Sequence, residues 1–365
     1  MLAGINEDLA LPLLTARPIL TPSAKAHESI KRRRVMVTGA GGSIGSELVK
    51  QIIRSQPASL ILVDHSEYNL YEINCTVANQ AKPVQSVSYV MDVRSLDEMR
   101  YAFVKQKPEI VFHAAALKHV PMLENDFNLA AAVRTNVGGT KIVADLCAST
   151  GADMVLISTD KAVNPSSGMG LTKRVAEIYL YAKAGRHPDV RFSQVRFGNV
   201  LGSSGSVVPL FRRQIAQGGP VTITHPEMTR YMMTISEAVG LTLCASDLPQ
   251  KGYGLYVLDM GKPVKIIDLA RQLIEMAGLR PHTDIPIDIV GMRPGEKLFE
   301  ELSYDWEQVR PTSVPGVMLA HPVFDPKPVL GKVDELLMAA NARDHEQVKS
   351  LLVEIVPEYV GEVIF

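Results

Sequence analysis

Between Arg34 and Phe197 the chain alternates short, almost unbroken apolar runs with longer stretches in which apolar residues recur every three or four positions. RVMVT from Arg34, SLILVD (59–64), VSYVMD (87–92), EIVFHAA (109–115), DMVLIST (153–159) and RFSQVRF (191–197) read as strands, and the segment near 43–55 reads as the first intervening helix. Strands apolar on both sides need cover on both sides, and strands separated by helices pair in parallel. The pattern predicts an α/β fold, a Rossmann-type doubly wound parallel sheet occupying residues 34–200.

Beyond about residue 200 the order loosens. LGSSGS leads into PVTIT, helical TISEAVGLTLCASDL and IIDLARQLIEMAGL, and the loop GMRPGEK. These read as a smaller substrate-binding part over 201–330, interleaved with a last sheet strand, YGLYVLDM. Residues 1–33 are punctuated by proline and weakly periodic, which reads as an arm. The tail DELLMAANARDHEQVKSLLVEIVPEY, within 331–365, is amphipathic and serves equally as helices closing on the body or as a partner interface.

Composition narrows this picture only a little. With 365 residues and a net charge of −1, the chain offers no general field for nucleic acid or an anionic membrane. The basic run Lys31-Arg32-Arg33-Arg34 is expected to be a solvated flank. Cys75, Cys147 and Cys244 lack the spacing of a zinc site, and no secretory signal precedes them, so neither a disulfide framework nor a metal is expected. No apolar run approaches the ~20 residues of a membrane helix. A soluble, cytoplasmic protein is the expectation.

Candidate chemistry gathers at the predicted strand ends, where open α/β sheets bind ligands. Thr38-Gly39-Ala40-Gly41-Gly42-Ser43-Ile44-Gly45 follows the first strand and opens a helix, so its glycines would let a pyrophosphate approach the backbone and the helix amides. Asp64 ends the second strand nineteen residues past Gly45. A carboxylate there accepts from both ribose hydroxyls and repels a 2′-phosphate, which favours NAD over NADP. Asp92 and Val93 would border adenine, and His113, Ala114, Ala115 and Ala116 would let backbone come near the cofactor. Ser158, Thr159, Asp160 and Lys161 end the fifth strand, and Lys173 lies one helical turn past Met169, facing the same way. Asp160 and Lys161 offer a proton donor beside a proton acceptor. A solvated loop pair and a surface lysine are the bland alternatives.

TGAGGSIG, HAAALKHVP, ISTDKAVNP, the Met169-to-Lys173 spacing, RFGNVLGSSGSVVPLF and RPGEK resemble extended short-chain dehydrogenase/reductases, specifically the polysaccharide-biosynthesis (CapD-like) UDP-N-acetylglucosamine 4,6-dehydratase family. The resemblance covers about residues 34–305. It is nearest the branch that carries this module behind membrane helices and a further cytoplasmic domain, and in which methionine replaces the usual tyrosine. On that likeness residues 1–33 would be a connector remnant, and the full-length protein would sit at the cytoplasmic face of a membrane.

The resemblance implies that hydride leaves C4 of a UDP-sugar for NAD, Lys161 removes the C5 proton, Asp160 protonates the departing C6 hydroxyl, and hydride returns to C6. Lys173 would hold the nicotinamide ribose. In ordinary relatives a tyrosine takes the C4 hydroxyl proton, which the thioether of Met169 cannot do; Asp160, assisted by Thr159 or water, is expected to take over. Asn199, Val208, Thr222, Arg230, Arg293, Glu296 and Lys118 are the expected substrate contacts, with Gly202–Val207 as a loop over the diphosphate. His119 is expected to pack or cap. A homo-oligomer is expected by analogy. Two rivals stay open: a UDP-sugar 4-epimerase, which needs no C5 base, and an inactive NAD-binding regulator.

Overall fold

Nine strands share one sheet: β1 (Arg34–Thr38), β2 (Ser59–Asp64), β3 (Ser86–Val90), β4 (Ile110–His113), β5 (Asp153–Ile157), β6 (Phe192–Arg196), β7 (Tyr253–Leu258), β8 (Gln308–Pro311) and β9 (Val317–His321). This is a computed structural model, which describes residue 20 and residues 30–80, 82, 84–248, 252–322 and 329–361. The strand order is β8-β9-β7-β6-β5-β4-β1-β2-β3. β3 through β7 pair in parallel. β9 runs antiparallel to both β7 and β8, an edge that the sequence pattern did not announce.

Chain order reverses at β1, with β2 on one side and β4 on the other. A crevice opens at such a switch point beyond the carboxyl ends of the strands. The strands end earlier than the apolar runs: β3 stops at Val90, β4 at His113 and β5 at Ile157. Their predicted tips, 91–92, 114–115 and 158–159, are loops that leave the sheet at this edge.

Helices cover both faces. On one, α1 (Ser43–Arg54), α2 (Glu67–Ala78) and α9 (Ile235–Ser246) bury Leu48, Ile52, Leu70, Ile73 and Leu241 against Val35, Val37 and Phe112. The other carries α3 (Leu96–Gln106), α4 (Val120–Leu123), α5 (Asp126–Ala132), α6 (Thr140–Thr150) and α7 (Gly168–Arg186). The tail helices α11 (Val329–Ala342) and α12 (His345–Ile355) add Val333, Leu336 and Leu352 to that second core. Fifteen of the nineteen residues of α7 are buried, so it has no polar face and shows no amphipathic stripe in the sequence.

A third cluster stands apart. Val208, Phe211 and Ile215 of α8 (Val207–Ala216) pack with Ile266, Leu269 and Leu273 of α10 (Ile266–Met276) and the parallel strand pair Val221–Ile223 and Ile287–Ile289. Of the expected arm, only Leu20 and residues 30–33 are described; the rest lies outside the described residues. The basic run is less free than expected, because Arg33 donates to Asp153 at 2.9 Å and Arg34 to the Lys107 carbonyl at 2.6 Å. Among the described residues, no helix is long and apolar enough to cross a membrane and no acidic, Cys or His cluster could hold a metal.

Candidate active site

The turn from β1 into α1 is shaped by what glycine leaves out. Gly39 has φ +66°, and a Cβ there would stand 2.7 Å from the Ala115 nitrogen. A Cβ on Gly45 would land on the Gly39 carbonyl oxygen, and one on Gly41 would collide with Asn69. The loop therefore lies flat against the tips of β4 and α2, with Gly42 capping α1. Asp64 anchors it: Oδ2 accepts from the Gly41 amide and Oδ1 from the Ser66 amide, both at 2.9 Å. A cavity of about 440 Å³ opens in front, lined by Gly39, Gly41–Gly45, Asn69, Ala114, Met122 and Ser204 among others. The Asp64 carboxylate itself is 5% exposed and is not among the residues lining that cavity. Backbone amides at a helix start, an open glycine surface and a carboxylate suit a dinucleotide.

Ser204 belongs to the small-residue loop before α8, and its amide donates to Ser43 Oγ at 3.1 Å, so this loop bridges back to the glycine turn. Asp92 and Val93 stand apart from that cavity. Asp92 makes a bidentate pair with Arg94, and Val93 is buried where a Cβ on Gly139 would meet it at 2.8 Å.

A second cavity, about 280 Å³, shares Ile44, Ala114 and Ser204 with the first and is also lined by Ser158, Thr159, Lys161, Met169, Lys173 and Asn199. Thr159 Oγ1 donates to Asp160 Oδ1 at 2.8 Å. Lys161 Nζ donates to the same oxygen and to Asn199 Oδ1, both at 3.0 Å. Asp160 is fully buried and lines none of the cavities described here. Its Oδ2 has no partner and points at Gly198, where a Cβ would sit 3.0 Å away. This carboxylate reaches the cavity only through Thr159 and Lys161.

Lys173 Nζ donates to the Ile157 carbonyl at 2.6 Å, and burial pulls its ammonium down to about 8. Burial works the same way on Lys161, but the Asp160 and Glu300 carboxylates outweigh it and raise that ammonium. Met169 is 3% exposed and packs with Leu123 and Ala132. Behind the wall, His113 Nδ1 lies 2.7 Å from Thr38 Oγ1, and burial depresses the imidazole to about 3, so it is neutral.

A third cavity of about 210 Å³ continues past Lys161, lined by Lys118, His119, Ser166, Arg230, Glu296, Lys297 and Glu300 among others. Arg230 donates to the Thr229 carbonyl at 2.7 Å, and its Nε lies 3.7 Å from Glu300 Oε1. Of the expected substrate contacts, Lys118, Asn199, Arg230 and Glu296 meet around these cavities. Val208 does not, being packed in the third cluster. Nor does Thr222, whose hydroxyl accepts from Gln214 at 2.8 Å, or Arg293, which is exposed outside the lining. His119, expected to pack or cap, is exposed, caps nothing with its side chain and lines all three cavities.

Two features went unread in the sequence. One is Glu300. The other is a buried ionic cluster beneath the site: Glu177 accepts from Ser158 Oγ at 2.7 Å and from Arg196 at 2.7 and 2.6 Å. Arg196 also donates to Glu307 at 2.7 Å. Arg174 pairs with Glu177 and Glu358 and lies 4.8 Å over the Tyr304 ring. The tip of β5, helix α7, strand β6 and the segment after α12 that carries Glu358 are thereby fixed to one another. A second arginine, Arg196, at the end of the strand run RFSQVRF was the available signal.

Residues 35–322 match the family described as "Polysaccharide biosynthesis protein". The probable polysaccharide biosynthesis protein EpsC of Bacillus subtilis is 46% identical over 82% of this chain and 49% of its own length. The chain spans about half the length of the first curated relatives it matches. A "UDP-N-acetylglucosamine 4,6-dehydratase (inverting)" of Campylobacter jejuni is 31% identical over 75% of this chain and 81% of that one. UDP-glucose 4-epimerases of Rickettsia also match. Among solved structures, Pen from Bacillus thuringiensis superposes with a TM-score of 0.72 at 29% identity, covering 80% of this chain and 89% of that one.

Proposed function

The chain belongs to the polysaccharide biosynthesis protein family, and we propose that it catalyses NAD-dependent 4,6-dehydration of a UDP-N-acetylhexosamine, foremost UDP-N-acetylglucosamine. The product is a UDP-4-keto-6-deoxy sugar. The observation that supports this most is the continuous bond path Thr159–Asp160–Lys161 beside the second cavity, which shares Ile44, Ala114 and Ser204 with the glycine-loop cavity and Lys161 with the one around Arg230.

Gly39–Gly45, Asp64 and Lys173 would hold the NAD, with Ala114 and Ala115 giving the backbone close approach. Bound there, NAD would supply the hydride acceptor and donor that the reaction needs. Thr159, the hydroxyl that faces the cavity, takes the C4–OH proton and passes its own to Asp160. A threonine backed by a buried carboxylate so replaces the missing phenol, and Met169 supplies only an apolar surface. Lys173, easily kept charged near neutrality, steadies the cofactor ribose. Lys161, once neutral, removes the C5 proton that the 4-ketone has acidified.

Arg230 grips the diphosphate, since a guanidinium matches phosphate oxygens in two-point contacts. Lys118 and Asn199 contact the sugar, and Glu296 the uridine ribose. We assign Arg230, Glu296 and the loop before α8 to a nucleotide-sugar part over residues 201–330, built on the third cluster.

Incubating the purified protein with UDP-N-acetylglucosamine in deuterium oxide tests this. A 4-keto-6-deoxy product carrying deuterium at C5 supports it. A C4 epimer without deuterium makes the chain an epimerase, and bound NAD with no product makes it a cofactor-binding protein.

A further inference from the structure

Lys161 lies between two carboxylates, Asp160 at 3.0 Å and Glu300 at 3.7 Å, and those charges favour its ammonium over the amine that a base requires. A proton has to leave Lys161 before it can accept one from C5. Asp160 holds Lys161 more closely but is buried outside the cavity lining, so it is badly placed to deliver that proton to the substrate. Glu300 is better placed. Its side chain is 4% exposed, it lines the cavity that Lys161 shares with Arg230, and its Oε2 is buried without a partner.

Buried carboxyl oxygens are ordinarily satisfied, and an orphan beside a cavity calls for an explanation. The adjacent Glu301 shows the ordinary case: it is half exposed and tied to Asn164 and Lys297. Burial and the Asp160 charge push the Glu300 carboxyl up, against the pull of Lys161, Arg230 and Lys297. A diphosphate at Arg230 cancels part of that pull and makes Glu300 a stronger proton acceptor.

We propose that Glu300 is the catalytic acid of the elimination: it takes the proton that Lys161 sheds and gives it to the departing C6 hydroxyl. This rests on the dehydratase reading above. The cycle balances. Lys161 ammonium and Glu300 carboxylate become amine and carboxylic acid; the amine takes the C5 proton as the C5–C6 double bond forms; the C6–O bond breaks, and Glu300 protonates the oxygen to release water. Ammonium and carboxylate are restored, and no electrons have left the site.

The test compares wild type and Glu300→Gln with UDP-N-acetylglucosamine in deuterium oxide, following reduced nicotinamide by absorbance and the product by mass and NMR. The expected result is a split: single-turnover cofactor reduction persists, while elimination and C5 deuteration fall about 10²–10⁴-fold, the range for losing a general acid or base. Elimination within about threefold of wild type overturns the proposal, as does an equal loss of both steps, which marks a structural role. Should Glu300→Gln not fold, Glu300→Leu, which adds no polar atom of its own to the interior, is held to the same split. If wild type itself yields no deuterated 4-keto-6-deoxy sugar, the dehydratase reading fails first, and visibly so.

Discussion

The two ends of this site are built from different materials. At the glycine turn the backbone does the chemistry, and each requirement belongs to one residue: a positive φ at Gly39, room beside Asn69 at Gly41, contact with the Gly39 carbonyl at Gly45. At the other end, from Thr159 to Glu300, side chains from loops far apart in sequence lie within hydrogen-bond or ion-pair reach of one another. A change at the first end should act through geometry and affect cofactor and stability together. A change at the second should act on one chemical step and leave the fold standing.

The sharpest way to break that contrast is Asp160→Asn. The Thr159 hydroxyl then has no carboxylate to receive its proton, and C4 oxidation should fall about 10²–10⁴-fold. Single-turnover absorbance of the reduced cofactor reads this directly, and the melting temperature should move little. Cofactor reduction at the wild-type rate would mean that the Thr159–Asp160 pair is not what replaces tyrosine.

Arg196→Met comes next and belongs to neither end. It leaves Glu307 without its guanidinium and Glu177 with Arg174 as its one cation among the described residues, and removing one partner of a buried ion pair costs about 3–5 kcal/mol. Urea unfolding measures it. The pH dependence carries a sign: burial would raise Glu177, but Arg196 outweighs it and leaves the carboxyl lowered. A carboxyl lowered on folding contributes stability that is present above its unfolded value and lost as pH falls through the folded one. Wild type should therefore weaken on acidification below about pH 4.5, and Arg196→Met should lose much of that slope.

Gly45→Ala tests the geometric end. The added methyl meets a carbonyl oxygen that cannot move without the whole turn, and overpacking of this kind costs about 1–3 kcal/mol. The melting temperature and the amount of NAD retained on purification should fall together. Loss of NAD with an unchanged melting temperature would separate what the contrast joins.

The same contrast explains what could be read from residues alone. Strand runs and the glycine turn were legible because burial on both faces and positive φ leave local marks. Asp160 and Lys161 were legible as chemistry but not as geometry: that one is sealed behind Gly198 and the other faces the cavity depends on how β6 ends. Glu300 and Glu301 are identical neighbours in sequence, and only the fold buries one and exposes the other. Arg174 and Glu177 were hidden for a related reason, since α7 is enclosed on all sides and its charges look like a solvated face.

The smallest expected effect falls where the sequence looked most anomalous. Met169 is packed between Leu123 and Ala132 and borders the cavity beside Thr159 and Lys173. A thioether accepts hydrogen bonds weakly and has no proton to give, so its contribution should be shape alone. Leucine fills nearly the same volume, and such swaps usually cost below about 1.5 kcal/mol. Met169→Leu should then keep turnover within about fivefold of wild type and leave the pH profile unmoved. A larger loss confined to C4 oxidation would show sulfur taking part in positioning the C4 hydroxyl, and would shift the replacement for tyrosine from the Thr159–Asp160 pair toward Met169 itself.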